Sequence, residues 1–403
     1  SARIDHLPWD QIPSAEQCLK ERKGRLKVIE AVMREIGLFK HNPFINSNTI
    51  IDLIEKTSRG VISDLFKKNQ HGGLREIYVL TIKSRMVALI IETCSRVICE
   101  HFECEAMTHP NMKMEIIERH KLLASKLAHA KSTKVSEYQC SSDKKSWNNN
   151  LVMPALAIPL LMLLPDYMHG MIQRILNMWN ERLIQLPHGV MKLLVNKTPL
   201  SCATFKEVAQ EFTNPGSTGR KPLFPHAGAS SVILRTGMMQ GILHYTSSLL
   251  HVSYLKITTF LIKSYYKVNF KDSICLIDQM CSSDDSATII SVSHPKGGSL
   301  EDDVRLSLTS EIICQALGTF CNYSCFTNSE KTTSGSASQL EFNSEFIIGN
   351  TLAVPMIKWV LASFGVSESQ SLLMRLQTFY NLMSQVSSSG LPAQNTTLLQ
   401  LAQ

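Results

Sequence analysis

The stretch Gln279-Met280-Cys281-Ser282-Ser283-Asp284-Asp285-Ser286 places two adjacent carboxylates between two apolar runs. Residues 273–281, which lead into the acidic pair, and residues 287–292, which follow it, are rich in Ile, Leu and Val. This pattern predicts a strand, a tight turn and a returning strand. Neighbouring carboxylates at a turn repel each other and gain little from packing, whereas a bound divalent cation would remove that repulsion. We therefore expect other parts of the chain to complete a metal site at this turn.

The composition is that of a folded protein with a large core. The 403 residues are 44% hydrophobic and 19% charged, which is a globular balance. The length suits one large domain or two to three subdomains. An excess of 41 Lys and Arg over 34 Asp and Glu gives a net charge of +7, which favours a polyanionic partner only weakly.

Cysteine usage and hydropathy argue against a disulfide framework, a zinc site and a membrane span. The 11 Cys are irregularly spaced, which favours reduced thiols over a disulfide framework or a zinc site. The most apolar run, residues 151–164, is too short to span a bilayer and contains two prolines, so we expect no membrane span. The chain begins at Ser1 without an initiator Met, and we expect it to be a piece of a longer protein.

A third candidate carboxylate lies in Ser141-Ser142-Asp143-Lys144-Lys145-Ser146-Trp147-Asn148. Asp143 follows small residues and precedes an apolar helical segment that begins at Leu151. An isolated Asp at such a place usually caps the helix or the turn before it. The alternative is a metal ligand at the end of a strand, and the residues alone leave both interpretations open.

Basic residues around a glycine pair form a candidate triphosphate site. Lys67 and Lys68 precede Gly72-Gly73, and Arg75 begins an apolar run typical of a strand. A triphosphate can be approached both by flexible backbone and by cations. A basic hairpin tip has the same composition and stays open as an alternative.

Two other glycine-containing segments differ in what they predict. Residues 237–241 lead into a long helix with a broad apolar stripe, so that helix should be largely buried. Residues 214–222 lack the glycine spacing of a phosphate-binding loop, and Pro222 stands where Ser or Thr is required. We expect no nucleotide at the second segment.

The periodic patterns beyond the acidic turn predict mostly helix. Residues 300–320, 347–365 and 367–386 are predicted to be helical, and residues 328–338 are predicted to be a polar loop. Residues 341–345 are predicted to form a strand or a turn.

Taken in chain order, these segments resemble the RNA-dependent RNA polymerase core of the large (L) proteins of segmented negative-strand RNA viruses. The resemblance is closest to the phenuivirus type, which includes phleboviruses and tenuiviruses. An isolated Ser-Asp-Asp is weak support, but six motifs in the family's order are specific. They are residues 68–79 for the basic finger motif, Asp143-x-Lys145-x-Trp147 for motif A, residues 237–248 for motif B, residues 282–286 for motif C, Lys331 for motif D and residues 341–345 for motif E.

The resemblance implies an α+β, right-hand polymerase fold with fingers, palm and thumb, a small antiparallel palm sheet and many helices. It implies fingers at residues 1–139, palm motifs A to E at residues 140–345 with a finger insertion near 165–236, and the start of a helical thumb at residues 346–403. Family members also carry a cap-snatching endonuclease and a cap-binding region elsewhere in the full-length protein. We recognise neither of these in the present sequence.

The resemblance also implies template-directed nucleotidyl transfer from NTPs with two Mg²⁺ or Mn²⁺ ions. Two ions about 3.5–4 Å apart can activate the attacking hydroxyl and stabilise the leaving pyrophosphate. Asp143 and Asp284 are expected to bridge both ions, with Asp285 as an outer or auxiliary ligand. Glu341 is expected to order the primer-grip turn or to bind a metal peripherally. Lys331 is the candidate general acid for pyrophosphate, with an ordinary surface lysine as the alternative.

Arg75 and its neighbours are the candidates for holding the triphosphate. Arg75, helped by Lys67 or Lys68, is expected to clamp the phosphates by bidentate hydrogen bonds. Glu76 is expected to tether Arg75 or neighbouring finger residues.

A second group is expected to contact RNA or the nucleotide base and sugar. The loop of Gln240 and Gly241 is expected to position the template and the new base pair. Ser247 and Asn148 are candidates for sensing the ribose hydroxyls, and Lys145 of motif A is a further nucleotide or RNA contact.

The implied partners are RNA template and product, NTPs, viral nucleoprotein-coated RNA and the remainder of the L protein. The implied location is the viral ribonucleoprotein in the host cell cytoplasm and the virion. Two other functions stay open, a non-catalytic RNA-binding scaffold and another two-metal enzyme such as a reverse transcriptase or a nuclease. The three aspartates argue against a scaffold, and the candidate triphosphate clamp argues against a nuclease.

Overall fold

The computed structural model describes residues 12, 14–20, 47–57, 60–70, 73–131, 133–239, 241–343, 345–348, 351–353, 360 and 372–401. Its helices are α1 Ala15–Lys20, α2 Ser47–Thr57, α3 Ile82–Cys99, α4 Met112–Lys131, α5 Trp147–Asn150, α6 Met153–Leu163, α7 Asp166–Asn177, α8 His188–Val195, α9 Ala203–Thr213, α10 His244–Asn269, α11 Leu300–Phe320, α12 Leu372–Ser388 and α13 Ala393–Leu401. Its strands are β1 Ile62–Gln70, β2 Gly73–Leu80, β3 Val135–Ser142, β4 Arg182–Gln185, β5 Ser231–Leu234, β6 Cys275–Ser282, β7 Asp285–Ser293, β8 Thr333–Ser336, β9 Gln339–Phe342, β10 Glu345–Ile348 and β11 Thr351–Ala353. This mixture of helices and small sheets confirms the predicted α+β class.

The chain divides into two compact units that interleave along the sequence. The first unit comprises Ser1–Phe66, Glu76–His101 and Ser146–Leu250. The second comprises Lys67–Arg75, Phe102–Lys145 and His251–Gln403. The predicted ranges for fingers, palm and thumb are consecutive along the chain, whereas the two units interleave. The assignment of these three regions stays a prediction.

The second unit is built on a four-stranded antiparallel sheet in the order β6-β7-β3-β8. Strands β6 and β7 form the predicted hairpin, with Ser282 opposite Asp285. Strand β7 begins at Asp285 itself, earlier than predicted, and pairs with β3 from Ser286 to Ser293. The acidic pair therefore lies at one end of the sheet.

Helices cover both faces of this sheet. Ile262 of α10 and Leu306 of α11 belong to the same buried cluster as Ile290 of β7. Ile116 of α4 packs in a different cluster, with Ile289 of β7. Because successive residues of a strand point to opposite faces, this division explains why β7 reads as an almost unbroken apolar run.

Helix α10 is buried on the predicted stripe but exposed towards its C-terminal half. Leu249, Val252 and Leu255 are buried. Ile257 and Leu261, which were expected to widen the buried stripe, are exposed. The prediction of a largely buried helix is therefore correct for the half that carries motif B, whereas beyond it Ile262 and Tyr266 are buried and Ile257 and Leu261 are exposed.

The segment from residue 346 is not helical at its start, and that part of the predicted helical thumb is wrong. Strands β9, β10 and β11 form an antiparallel sheet in which Phe346 pairs with Glu341 and Ile347 with Leu352. A short apolar run such as Phe346-Ile347-Ile348 cannot be assigned to helix or strand from periodicity alone. Asn343, at φ +54°, closes the β9–β10 turn and favours the hairpin. Helices α12 and α13 agree with the helical prediction further on.

The first unit contains a mixed sheet. Strand β4 runs parallel to β1, with Leu183 opposite Ile62, and antiparallel to β5, with Leu183 opposite Ile233. These three residues are buried together and form one core cluster with Ile12. Among the described helices, none is both long enough and apolar enough to cross a membrane.

Candidate active site

The acidic hairpin has a two-residue turn made of Ser283 and Asp284. Ser283 adopts a left-handed conformation with φ +57°, which two-residue hairpin turns require and which is usually met by glycine. Ser283 is buried, whereas the side chains of Asp284 and Asp285 are half-buried. The turn thus holds its first residue inside the protein and leaves the carboxylates accessible to solvent.

Asp143 lies at the same end of the sheet as the acidic pair. The last paired residue of β3 is Ser142, which lies opposite Ser286 of β7. Asp143 is the next residue along β3, and Asp285 is the residue before Ser286. Antiparallel register therefore brings these two positions to adjoining strand ends.

Asp143 is not the N-cap of either of the two helices that follow it. The N-cap residues of helices α5 and α6 are Ser146 and Val152. Asp143 directly follows strand β3, and its roles as a cap of the turn or as a metal ligand stay predictions.

The loop that carries Lys331 holds Asp143 in place. The Ser329 hydroxyl donates to Asp143 Oδ2 at 2.8 Å, and the Ser329 amide donates to the Asp143 carbonyl at 2.8 Å. The Thr332 hydroxyl donates to the same carbonyl at 3.1 Å. Lys331 itself is exposed, which is compatible with both the general-acid and the surface-lysine interpretation.

Lys144 is a buried cation that the sequence analysis missed. Its side chain is only 6% exposed, and Nζ donates to Ser142 Oγ and to Asn328 Oδ1, each at 2.6 Å. Nζ also lies 6.0 Å from the ring centroids of Tyr254 and Phe326, within the range of a cation–π contact. Burial lowers the pKa of Lys144 to about 8. The lysine therefore ties the end of β3 to the loop that holds Asp143.

Lys145, the lysine of motif A, is exposed. Its backbone amide donates to the Thr327 carbonyl at 2.7 Å. Two adjacent lysines in a sequence give no local signal of which one is buried. An exposed Lys145 stays compatible with the predicted contact to nucleotide or RNA.

The carboxylates at this end of the sheet fit a hard divalent cation. Asp143, Asp284 and Asp285 offer the oxygen ligands that Mg²⁺ and Mn²⁺ prefer. Mg²⁺ usually retains several waters and takes few protein carboxylates, so these residue types suit such an ion. Among the residues that the structure describes, no group of three His, Cys, Asp or Glu side chains is arranged so that it could hold a metal ion.

Glu341 is attached to motif A through its backbone. Its amide donates to the Ser141 hydroxyl of β3 at 2.8 Å, and its side chain is half-buried. On the adjoining strand Glu345 forms an ion pair with Lys113 of α4. These contacts favour the interpretation in which residues 341–345 order a turn beside motif A.

In the first unit, the loop before α10 is packed closely against the backbone of Asn148. The Met238 amide donates to the Asn148 carbonyl at 2.7 Å. Gly237 has φ +72°, and a Cβ there would lie 2.3 Å from the same carbonyl oxygen, so only glycine fits. Gly241 also has a left-handed φ, of +78°, but is exposed with open space around it. Gln240 lies outside the described residues.

Glu92 of α3 holds the N-terminus of α10, and the sequence analysis missed it. Its carboxylate accepts hydrogen bonds from the Tyr245 amide at 2.9 Å, the Thr246 amide at 3.0 Å and the Thr246 hydroxyl at 2.6 Å. A carboxylate at a helix N-terminus satisfies unpaired amides and is favoured by the helix dipole. Burial nevertheless raises the pKa of Glu92. Ser247, one turn into the helix, is buried and donates to the His244 carbonyl at 2.9 Å.

The candidate triphosphate clamp lies on the β1–β2 hairpin. Lys67 and Lys68 belong to β1 and Arg75 to β2, but their side chains lie outside the described part of the chain. Glu76 is exposed, and its described side-chain partner is Tyr78. Burial, followed by the Glu76 carboxylate, raises the pKa of Tyr78 to about 12.

The loop of residues 214–222 is folded around the buried carboxylate of Glu211. Glu211 accepts hydrogen bonds from the Gly216 amide at 2.9 Å, the Thr218 amide at 3.1 Å, the Thr218 hydroxyl at 2.7 Å and the Leu223 amide at 3.3 Å. These bonds hold the pKa of Glu211 at about 2. The amides of Gly216, Thr218 and Leu223 thus donate to the protein's own carboxylate.

Comparisons with known proteins agree with the resemblance noted in the sequence. A family profile described as "Bunyavirus RNA dependent RNA polymerase" matches residues 22–403. The chain is 32% identical to the RNA-directed RNA polymerase L of Uukuniemi virus (strain S23) over 378 residues, which cover 91% of the chain and 17% of that protein. It is 31% identical to the same-named protein of Dabie bandavirus over 366 residues, which cover 88% of the chain and 17% of that protein.

A third relative is similar over most of the chain. The RNA-directed RNA polymerase L of Rice stripe virus (isolate T) is 30% identical over 403 residues, which cover 94% of the chain and 13% of that protein. The chain therefore spans about one-sixth or less of the length of these relatives.

Proposed function

The chain belongs to the bunyavirus RNA-dependent RNA polymerase family, and from that premise we propose that it is the polymerase core of a larger L protein. Its reaction is template-directed transfer of nucleotides from NTPs to the 3′ end of an RNA. The biological role is replication and transcription of a segmented negative-strand RNA genome.

The observation that carries this proposal is the meeting of two strand ends. Asp143 at the end of β3 adjoins the turn of Asp284 and Asp285 between β6 and β7. These carboxylates are far apart in sequence but lie at adjoining strand ends. We expect such an arrangement where a protein holds divalent cations against a polyphosphate.

Asp143 and Asp284 would hold two Mg²⁺ or Mn²⁺ ions, with Asp285 as an auxiliary ligand. Such ions, when bound, lower the pKa of the attacking hydroxyl and neutralise charge on the leaving pyrophosphate. Ser329 supports the arrangement by its hydrogen bond to Asp143 Oδ2. Glu341 orders the turn beside motif A and is a candidate peripheral ligand.

The remaining roles follow the motifs. Lys331, exposed on the loop that holds Asp143, is the candidate general acid that protonates pyrophosphate. Arg75, with Lys67 or Lys68, clamps the triphosphate, and Glu76 steadies this basic segment. Five further candidates contact the template, the new base pair or the ribose, namely Lys145, Asn148, Gln240, Gly241 and Ser247.

We infer that the second unit contains the palm, and that the helical segment beyond the β9–β11 sheet begins the thumb in a right-hand arrangement with fingers. RNA template and product, NTPs, nucleoprotein-coated viral RNA and the rest of the L protein are the proposed partners. The proposed location is the viral ribonucleoprotein in the host cytoplasm and in the virion.

The test is primer extension on an RNA template by the full-length protein and its Asp143→Asn variant. We expect the wild type to incorporate NTPs in preference to dNTPs, and the variant to lose incorporation. Preference for dNTPs would indicate a reverse transcriptase, and template degradation without extension would indicate a nuclease. RNA binding without any metal-dependent reaction, and without a difference between the two proteins in Mn²⁺ calorimetry, would indicate a scaffold.

A further inference from the structure

His251 of α10 contacts the turn that carries Asp284. The imidazole is fully buried, and Nδ1 lies 2.7 Å from the carbonyl oxygen of Ser283. Its ring centroid lies 5.2 Å from that of Phe326 and 6.2 Å from that of Tyr254. Helix α10 therefore contacts the motif C turn through a polar side chain that lies among aromatic rings.

The hydrogen bond has a defined direction. A backbone carbonyl can only accept, so Nδ1 carries the proton and donates it. Burial lowers the pKa of His251 to about 3, which keeps the ring neutral and in this one tautomer at neutral pH.

The Ser283 carbonyl is the part of the turn that determines where Asp284 points. The carbonyl of Ser283 and the amide of Asp284 belong to one planar peptide unit. Fixing the carbonyl therefore fixes the bond that leads to the Asp284 Cα. Ser283 itself has φ +57°, a conformation that a non-glycine residue keeps only when its surroundings hold it there.

We infer that His251 is a positioning residue for Asp284, and that its Nδ1–H keeps the turn in the conformation that presents the Asp284 carboxylate. The inference rests on the proposed function only for what Asp284 does once it is positioned. It identifies a link between helix α10 and motif C that acts through the backbone and not through a ligand.

A role in packing alone predicts something different. If His251 only filled space among Phe326 and Tyr254, then His251→Phe would leave the turn that presents the Asp284 carboxylate unchanged. If the donated hydrogen bond matters, His251→Phe should loosen this turn. His251→Asn should keep the turn in place, because an Asn amide can donate from a position close to that of Nδ1. Ser283→Gly should rescue His251→Phe, because glycine adopts the left-handed conformation without support.

Tyr254→Phe supplies a matched control. The Tyr254 hydroxyl donates to the Leu317 carbonyl at 2.9 Å, so this change removes one buried hydrogen bond from the same aromatic cluster without touching the turn. His251→Phe and Tyr254→Phe should therefore lower the melting temperature to a similar extent. They should differ in every property that depends on Asp284.

The experiment compares the full-length wild type with these four variants in hydrogen exchange and in Mn²⁺ titration. In metal-free protein we expect His251→Phe to speed amide exchange of a peptide covering residues 282–286 about tenfold, the effect of one lost hydrogen bond. The apparent Kd for Mn²⁺ should rise and kcat should fall by a similar factor, with little change in KM for the NTP. His251→Asn and the His251→Phe/Ser283→Gly double variant should recover most of each loss.

Unchanged exchange at residues 282–286 in His251→Phe would overturn the inference, as would an equal effect of Tyr254→Phe on that peptide. Failure of the proposed function is distinguishable, because it would appear as a wild type that shows the exchange pattern but incorporates no nucleotide. If His251→Phe does not fold, the same exchange measurement compares His251→Asn with wild type. We then expect residues 282–286 to stay as protected in His251→Asn as in wild type, and faster exchange there would overturn the inference. Tyr254→Phe should show no loss of protection at these residues.

Discussion

Replacing Gly237 with alanine probes how closely the loop before α10 is held against Asn148. At φ +72° a side chain costs about 1–2 kcal/mol of folding free energy. The new Cβ would also lie 2.3 Å from the Asn148 carbonyl oxygen and 2.9 Å from the Asn149 Cα, so backbone must move. Moving that carbonyl breaks its 2.7 Å bond from the Met238 amide, and each buried group left unpaired costs about 1–3 kcal/mol.

The expected loss for Gly237→Ala is therefore about 3 kcal/mol or more, reduced by about 0.4–1 kcal/mol because alanine restricts the unfolded chain. Gly228→Ala is the matched control, since Gly228 has φ +71° and no heavy atom within 4 Å of a built Cβ. It carries the same backbone strain without the clash and should cost about 1 kcal/mol. Urea denaturation followed by tryptophan fluorescence measures both, with Trp147 and Trp179 in the same unit. Equal losses for the two variants would refute the close approach.

Three further variants test single side chains. Because burial raises the pKa of Glu92, ionisation of this carboxyl destabilises the fold and protonation relieves that effect. The stability of wild type relative to Glu92→Gln should therefore increase as pH falls from 7 towards 4. Urea melts at several pH values measure this difference, and a constant difference would refute the prediction. Glu211→Ala should release the loop that it organises, so that trypsin cuts after Arg220 several-fold faster than in wild type, and unchanged cleavage would contradict the role given to the carboxylate. Ser329→Ala should lower kcat for nucleotide incorporation about tenfold by freeing Asp143, as expected for one hydrogen bond, and unchanged kcat would remove Ser329 from the site.

Elements with strong local signals could be predicted from the sequence. The acidic hairpin was predicted because two β-rich runs flank a polar turn, and the structure forms strands there. Helix α11 matches its predicted range of 300–320. Its start is fixed locally, since Ser299 and Asp302 form a capping box. Such features depend on neighbouring residues and not on the rest of the fold.

The secondary structure could not be predicted from the sequence where local patterns are ambiguous. Phe346-Ile347-Ile348 was predicted to enter a helix but forms strand β10. Its partner is Leu340-Glu341-Phe342 on β9, and only that pairing decides between the two structures. The prediction failed because tertiary contacts, and not propensity, determine the state of short apolar runs.

The supporting residues of the site were missed for a related reason. Lys144 acts through Asn328, Glu92 through the helix that begins at His244, and His251 through Ser283. Each of these contacts joins parts of the chain that are far apart in sequence. Motifs identify the groups that meet substrate, whereas the groups that hold them in place have no fixed spacing and appear only in the folded structure.

The most direct test of the central claim is single-nucleotide incorporation by the full-length protein with Asp284→Asn or Asp285→Asn. If Asp284 is the bridging ligand and Asp285 an auxiliary one, Asp284→Asn should reduce the rate on the order of 10³-fold or more, since several kcal/mol of transition-state stabilisation depend on the ions. Asp285→Asn should reduce it less. Incorporation at a near wild-type rate by Asp284→Asn would contradict the account.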